Sequence, residues 1–174
     1  MRVLTQHEAA SAFGAPDIAR FFGEVDWQYP EPVPSYFVPG YSDRKVILAR
    51  SIANALLDRG SAILWLTEFG FWGDYEQPDV LLRYRSSFGE TRGILEAPIH
   101  VFDPTDRVEL VSILCIALFF NWGAEIMNAD RSVAFTISHD EWLEYRYARG
   151  QEAFAAHFKK WIEPLLRQGA NSDR

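Results

Sequence analysis

Apolar residues recur at helical spacing in several separate stretches of the chain. The clearest is 43–58, whose apolar face consists of Val46, Ala49, Ile52, Ala53, Leu56 and Leu57. Apolar spacing also predicts helices at 78–88 and 152–166, and capping and stop residues predict one or two short helices within 5–22. Asp106 with Glu109 begins a further helix at 107–121, which is apolar almost all round. Ser138 and Glu141 have the spacing of a capping box, which predicts another helix that continues to Tyr147.

Shorter apolar runs bounded by turn residues predict strands at 62–67, 99–102, 124–128 and 133–138. Helical segments separate the first three strands, which favours a parallel core. The turn Asn-Ala-Asp-Arg joins the last two strands as a hairpin and adds an antiparallel edge. The predicted fold class is therefore α/β, with a mixed sheet of about four strands covered by helices.

The whole chain, 1–174, is predicted to form a single domain. Residues 1–42 form a helical arm rich in proline and aromatic residues, 43–167 form the α/β core, and 168–174 form a frayed tail. Prolines interrupt any regular pattern in 24–42, so an extended loop is expected there. Its aromatic rings either pin the loop across the domain or serve as a binding arm.

Composition and charge narrow the class of partner. The 174 residues carry 17 basic and 24 acidic side chains, a net charge of −7, without a basic cluster, so neither nucleic acid nor an anionic membrane is an expected partner. The longest apolar run has about eight residues, whereas a membrane span needs about 20. Cys115 is the single cysteine, and the first residues lack a signal-peptide pattern, so a cytoplasmic protein is expected.

Sequence motifs for cofactors and catalysis are absent. The chain contains no phosphate-binding glycine loop, no dinucleotide fingerprint, no G-x-S-x-G and no H-E-x-x-H. No cofactor and no metal are therefore expected, and a binding function is favoured over catalysis.

Two histidines next to carboxylates are the weak catalytic candidates. His100 precedes Asp103, and His139 lies between Ser138 and Asp140. Imidazole and carboxylate groups could serve a metal site or acid–base chemistry. With parallel strands, however, Glu68 and Asp103 would lie at one edge of the sheet and His139 at the opposite edge. Packing and helix capping explain the same residues without any reaction.

The segment 68–79 is the main binding candidate. It combines aromatic rings with acids, and it follows a predicted strand, where α/β domains place their sites. Rings surrounded by carboxylates suit an interface with a basic protein. Alternatively, the rings fold inward while the acids face water. The candidate binding residues are Glu68, Phe71, Trp72, Asp74, Tyr75, Glu76 and Asp79.

Three segments together carry a resemblance: LWLTEFGFW at 64–72, FFNWGAEI at 119–126 and ISHDEW at 137–142. In these the chain resembles a family of small bacterial proteins to which no activity is attached. The resemblance implies a bacterial cytosolic origin and assigns no role to any residue.

Three functions follow from the sequence as hypotheses. The first is an acidic protein-interaction module, such as an inhibitor or immunity-type partner of a basic protein. The second is a small metal-assisted or acid–base enzyme that uses His100, Asp103 and His139. The third is a self-associating component, a homo-oligomer that exchanges the arm 27–41 between subunits.

Overall fold

A computed structural model describes residues 1–28, 36–69 and 77–170 of the chain. Its helices are α1 (Gln6–Ala12), α2 (Ile18–Gly23), α3 (Ser42–Leu57), α4 (Pro78–Ser86), α5 (Arg107–Phe119) and α6 (Glu152–Ala170). Its strands are β1 (Arg2–Leu4), β2 (Trp27–Gln28), β3 (Tyr36–Phe37), β4 (Ala62–Glu68), β5 (Ile99–Phe102), β6 (Gly123–Asn128), β7 (Val133–Ile137) and β8 (Trp142–Ala148).

These eight strands form one sheet, in which every strand pair described is antiparallel. Seven strands follow the order β1-β5-β4-β6-β7-β8-β2, and β3 pairs with β8. The predicted four-stranded mixed sheet with a parallel core is therefore wrong.

The strand order explains this error. β5 begins beside Trp65, close to the end of β4, so the chain returns alongside β4 in the opposite direction. β6 also runs antiparallel to β4 on its other side. Consequently β5 and β6 point the same way, as the intervening helix suggested, but β4 lies between them. A helix that connects two strands indicates that the strands run in the same direction, but it does not show that they are neighbours in the sheet.

The helix predicted to continue to Tyr147 is instead strand β8. Ser138 Oγ accepts a hydrogen bond from the Asp140 backbone N–H at 3.1 Å, which closes a tight turn rather than starting a helix. Glu141 has φ 63°, in the left-handed region. The alternation of buried Leu143 and Tyr145 with partly exposed neighbours is the period of a strand.

Helices cover both faces of the sheet. On one face, α3, α5 and α6 bury the main apolar core together with strand residues such as Leu64, Ile126 and Phe135. On the other face, α1 and α2 cover a smaller cluster that includes Ile63 and Met127. Side chains alternate between these two faces along each strand, so the residues between the core positions point toward the α1–α2 side.

The arm predicted as an extended loop contains two short strands. β2 pairs with the end of β8 at Tyr147 and Ala148, and β3 pairs with its beginning at Trp142 and Leu143. The described part of the arm therefore pairs with the sheet of its own chain.

None of the described helices is both long and apolar enough to cross a bilayer.

Candidate functional site

One row of side chains crosses four strands on the α1–α2 side of the sheet. The backbone register pairs Trp65 with Glu125, Glu125 with Thr136, and Thr136 with Glu144. All four side chains keep partial solvent exposure, whereas the neighbouring core positions are buried. These four residues, Trp65, Glu125, Thr136 and Glu144, form the cross-strand row.

A charged network holds the centre of the cross-strand row. Thr136 Oγ1 donates to Glu125 Oε1 at 2.9 Å and accepts from Arg146 Nη1 at 3.2 Å. Arg146 Nη2 also donates to Glu125 Oε2. Burial raises the pKa of Glu125, while the charge of Arg146 and the Thr136 hydrogen bond act in the opposite direction. The carboxylate is therefore largely desolvated and is fixed in place.

Tryptophan side chains flank this network. The Arg146 guanidinium lies 5.4 Å from the centre of the Trp27 ring, a cation–π contact. The Trp27 indole N–H donates to the Phe22 carbonyl at 3.1 Å, and the Trp65 ring lies 5.7 Å from that of Phe22. Both indoles are thus held in place and partly exposed. Trp142, at the start of β8, is also partly exposed. Rigid aromatic rings of this kind are frequent anchors at protein interfaces.

A second cluster lies at the rim of the sheet, where β4 ends and the β7–β8 turn begins. His139 Nδ1 is 2.6 Å from Glu68 Oε2, and His139 Nε2 is 3.3 Å from Asp140 Oδ1. The imidazole is 23% exposed and the Glu68 side chain 43%. Glu68 can therefore hold a proton on Nδ1, which fixes the orientation of the ring.

Gly123 makes room for this contact. The register between β4 and β6 shifts between Leu66 and Glu68, so Glu68 lies directly opposite Gly123. A Cβ atom at position 123 would lie 2.7 Å from both Cβ and Oε2 of Glu68. A glycine at this position is thus required for the Glu68 side chain to lie where it meets His139.

The placement of His139 corrects the sequence-based expectation that it lies at the opposite edge from Glu68. β4 and β7 are both antiparallel to β6, so they point the same way and end at the same edge. Asp103 instead lies at the other end of β4, where it accepts a hydrogen bond from Ser61 Oγ at 3.0 Å.

His100 lies in the middle of β5 and is completely buried, facing the main core beside Phe102. Along the paired registers, three strand spacings of about 4.8 Å and four residues of about 3.3 Å separate it from His139, roughly 20 Å in all. A single metal ion cannot bridge that distance, because ligand bonds are about 2 Å long. Among the described residues, no group of three or more His, Cys, Asp or Glu side chains could hold a metal ion.

The binding candidates of segment 68–79 are only partly covered by the structure. Glu68 belongs to the rim cluster, and Asp79 is exposed in the first turn of α4. The remaining predicted residues lie outside the described part of the chain: Phe71, Trp72, Asp74, Tyr75 and Glu76.

Sequence reasoning missed Glu125, Arg146 and the tryptophans near them. The signal was the alternation Trp-Leu-Glu-Tyr-Arg-Tyr at 142–147, which has the period of a strand and places Glu144 and Arg146 on one face. This strand period was overlooked because Ser138 and Glu141 were interpreted as the capping box of a helix.

A groove of about 500 Å³ lies elsewhere, between α3 and α5. Its lining residues are Arg50, Asn54, Arg107, Val108, Val111 and Ser112. Because its charged side chains are arginines, this groove does not suit a basic partner.

Comparison with known proteins gives no match, whether to a protein-family model, a curated protein or a solved structure. The resemblance to a family of small bacterial proteins therefore stays a prediction.

Proposed function

We propose that this chain is a cytoplasmic protein-interaction module that binds a basic protein, as an inhibitor or immunity-type partner does. The observation that carries the proposal is the cross-strand row with its rim. Carboxylates and partly exposed tryptophans share one side of the sheet there, on a chain of net charge −7.

The charges of this surface support a basic partner. Glu144 forms no hydrogen bond or ion pair with a described residue, and Asp140 is 66% exposed. Glu144 is thus available to cations of another protein, and Asp140, although it lies 3.3 Å from His139 Nε2, keeps most of its side chain accessible to them. Acidic side chains around an interface mainly speed association and select against acidic partners.

The tryptophans support a protein rather than a small cation as the ligand. Trp65 packs against the Phe22 ring and therefore loses little side-chain entropy when it is covered by a partner. Aromatic rings next to partly exposed carboxylates favour a basic protein that brings its own apolar side chains.

The direct test is titration of the purified chain with basic proteins, including the product of the adjacent gene, in 50 mM and 200 mM salt. We expect the association rate to fall severalfold at the higher salt, because screening weakens steering between charged surfaces. The double variant Glu144→Gln/Asp140→Asn should slow association, and Trp65→Ala should speed dissociation.

Glu109→Gln is the matched control, because Glu109 lies on α5, on the other side of the sheet. It should leave both rates unchanged. Binding that is insensitive to salt and to all three row and rim substitutions would show that this surface is not the interface.

Acid–base catalysis is a second candidate, favoured by the 2.6 Å contact between Glu68 and the partly exposed His139. The pair replaces the combination of His100, Asp103 and His139, because His100 lies roughly 20 Å from His139. Asp103 lies beside Ser61, at the opposite end of β4 from Glu68. His139 would accept a proton at Nε2 while Glu68 holds the ring through Nδ1. A screen of chromogenic esters, phosphoesters and glycosides would have to show turnover that His139→Gln abolishes; turnover equal in both proteins would end this candidate.

A further inference from the structure

Helix α5 has more apolar surface than the fold buries. Only Arg107, Glu109 and Ser112 are polar in this helix. Its fully buried side chains belong to the main core: Leu110, Ile113, Leu114, Ala117 and Leu118. Val108 and Phe119, on the outward side, remain 73% and 40% exposed. A helix that is apolar almost all round is normally covered on more than one side, and the described residues leave this outward side partly uncovered.

The outward side of α5 borders the groove of about 500 Å³ against α3. The two helices run antiparallel, because Arg107, at the start of α5, donates to Asp58, just after α3, at 2.7 Å. At the other end, Lys45 Nζ donates to the Leu118 carbonyl at 2.7 Å. The outward stripe Val108–Phe119 is about 16 Å long at 1.5 Å per residue, which is the length of about three helical turns.

The lining of this groove carries positive charge and no carboxylate, on a chain of net charge −7. Arg50 is exposed and forms no hydrogen bond or ion pair with a described residue. Arg107 is held by Asn54 and by Asp58, and Asp58 offsets part of its charge from outside the lining. Because two valines supply the apolar part of the lining, a ligand with carboxylates and an apolar face complements this groove.

We propose that the groove between α3 and α5 binds an amphipathic helix of a second, acidic protein. Such a helix packs its apolar side chains on Val108 and Val111 and places carboxylates beside Arg50. A small anion would meet the arginine but leave most of the apolar stripe of α5 exposed.

A second copy of this chain fits the groove less well. A two-fold contact of the groove with itself would bring Arg50 of both copies together, and two chains of net charge −7 repel each other. The groove lies on the main-core side of the sheet, opposite the cross-strand row. Both surfaces can therefore be occupied at the same time.

NMR of the isotope-labelled chain with stapled helical peptides of about 14 residues tests the groove without any variant. One peptide carries leucines on one face flanked by glutamates, and its matched control carries lysines in place of the glutamates. We expect the acidic peptide to give saturable shifts of backbone amides in α3 and α5, and none around the cross-strand row. The lysine peptide should bind about tenfold more weakly.

Three substitutions at exposed positions test the apolar and the charged contacts separately. Val108→Gln should weaken binding of the acidic peptide about fivefold and leave Tm unchanged, because the position is mostly exposed in the free chain. Arg50→Glu should weaken it about tenfold and strengthen binding of the lysine peptide. Arg20→Glu makes the same charge change on α2, on the other side of the sheet, and should alter neither affinity.

The outcomes that would overturn the proposal are equally specific. These are equal affinities for the two peptides, no shift with either peptide, and an Arg50→Glu chain that binds the acidic peptide as the parent does. Saturable shifts in α3 and α5 with sodium decanoate but with neither peptide would make the groove a site for small amphiphiles, which also overturns it.

Discussion

Replacing Gly123 by alanine tests how tightly the rim of the sheet is packed. The added methyl carbon would lie 2.7 Å from Glu68 Cβ, about 1 Å inside the usual carbon–carbon contact distance of 3.5–4.0 Å. Because the Glu68 Cβ is fixed to a paired strand, rotation of the side chain alone cannot relieve this contact. Either the two strands separate or Glu68 tilts away from His139.

The magnitude follows from three contributions. Overpacking of this kind costs about 1–3 kcal/mol, and loss of a partly exposed ion pair adds about 0–1 kcal/mol. The lower entropy of an unfolded chain with alanine returns about 0.4–1 kcal/mol. Taking the midpoints of these ranges, we expect Gly123→Ala to lower the free energy of unfolding by about 2 kcal/mol, and Tm by about 4–8 °C.

Urea unfolding measures the stability, and NMR of the His139 ring nitrogens reports whether the contact with Glu68 persists. Gly93→Ala is the control, since a Cβ there meets no atom within 4 Å; it should be neutral or slightly stabilising. In a Glu68→Gly background, Gly123→Ala should cost nothing, because the opposing Cβ is gone. The reasoning fails if Gly123→Ala is as stable as the parent chain and leaves the His139 signals unchanged.

Two further predictions concern buried ionisable side chains. Arg146→Met should lower the free energy of unfolding in urea by about 2–4 kcal/mol, because it leaves Glu125 desolvated without its cation. Adding Glu125→Gln should restore at least half of that loss, and equal midpoints for the single and double variants would show that the pair is not coupled. For His100, with its pKa lowered from 6.5 to about 3, the unfolded chain binds a proton that the folded chain refuses between those values. The free energy of unfolding should therefore decrease as pH falls from 6.5 toward 3, by up to about 1.4 kcal/mol per pH unit. His100→Leu should flatten this dependence of the free energy of unfolding on pH between pH 6.5 and 5. If the variant keeps the slope of the parent chain, His100 is protonated in the folded protein.

The sequence predicted local structure better than strand pairing. The apolar spacing in 43–58 located α3, because a helix that is buried on one side repeats its apolar residues at a fixed spacing. The capping pair Asp106 and Glu109, followed by a long apolar run, located α5. The runs at 62–67 and 99–102 likewise located β4 and β5. The order of strands in the sheet depends on contacts between residues that are far apart in the chain. A short sequence pattern carries no information about such contacts.

The candidate site was predictable only in part. Glu68 and His139 were both recognised as chemically notable, yet they were placed at opposite edges because the sheet direction was wrong. Glu125 and Arg146 became visible only once β8 was a strand, since a helix there would have turned Glu144 and Arg146 to different faces. The spacing of Ser138 and Glu141 led to the wrong prediction of a helix after Ser138. The same spacing also fits a tight turn, in which Glu141 adopts φ 63°.

The attachment of β2 and β3 to β8 also bears on how the chain behaves at high concentration. A long unpaired strand at the margin of a sheet can recruit a strand from another molecule and start aggregation. Here the two ends of β8 are occupied by short strands from the same chain, and the far margin is β1, which has only three residues. Deleting the segment that contains β2 and β3 would therefore convert β8 into a seven-residue template for intermolecular pairing.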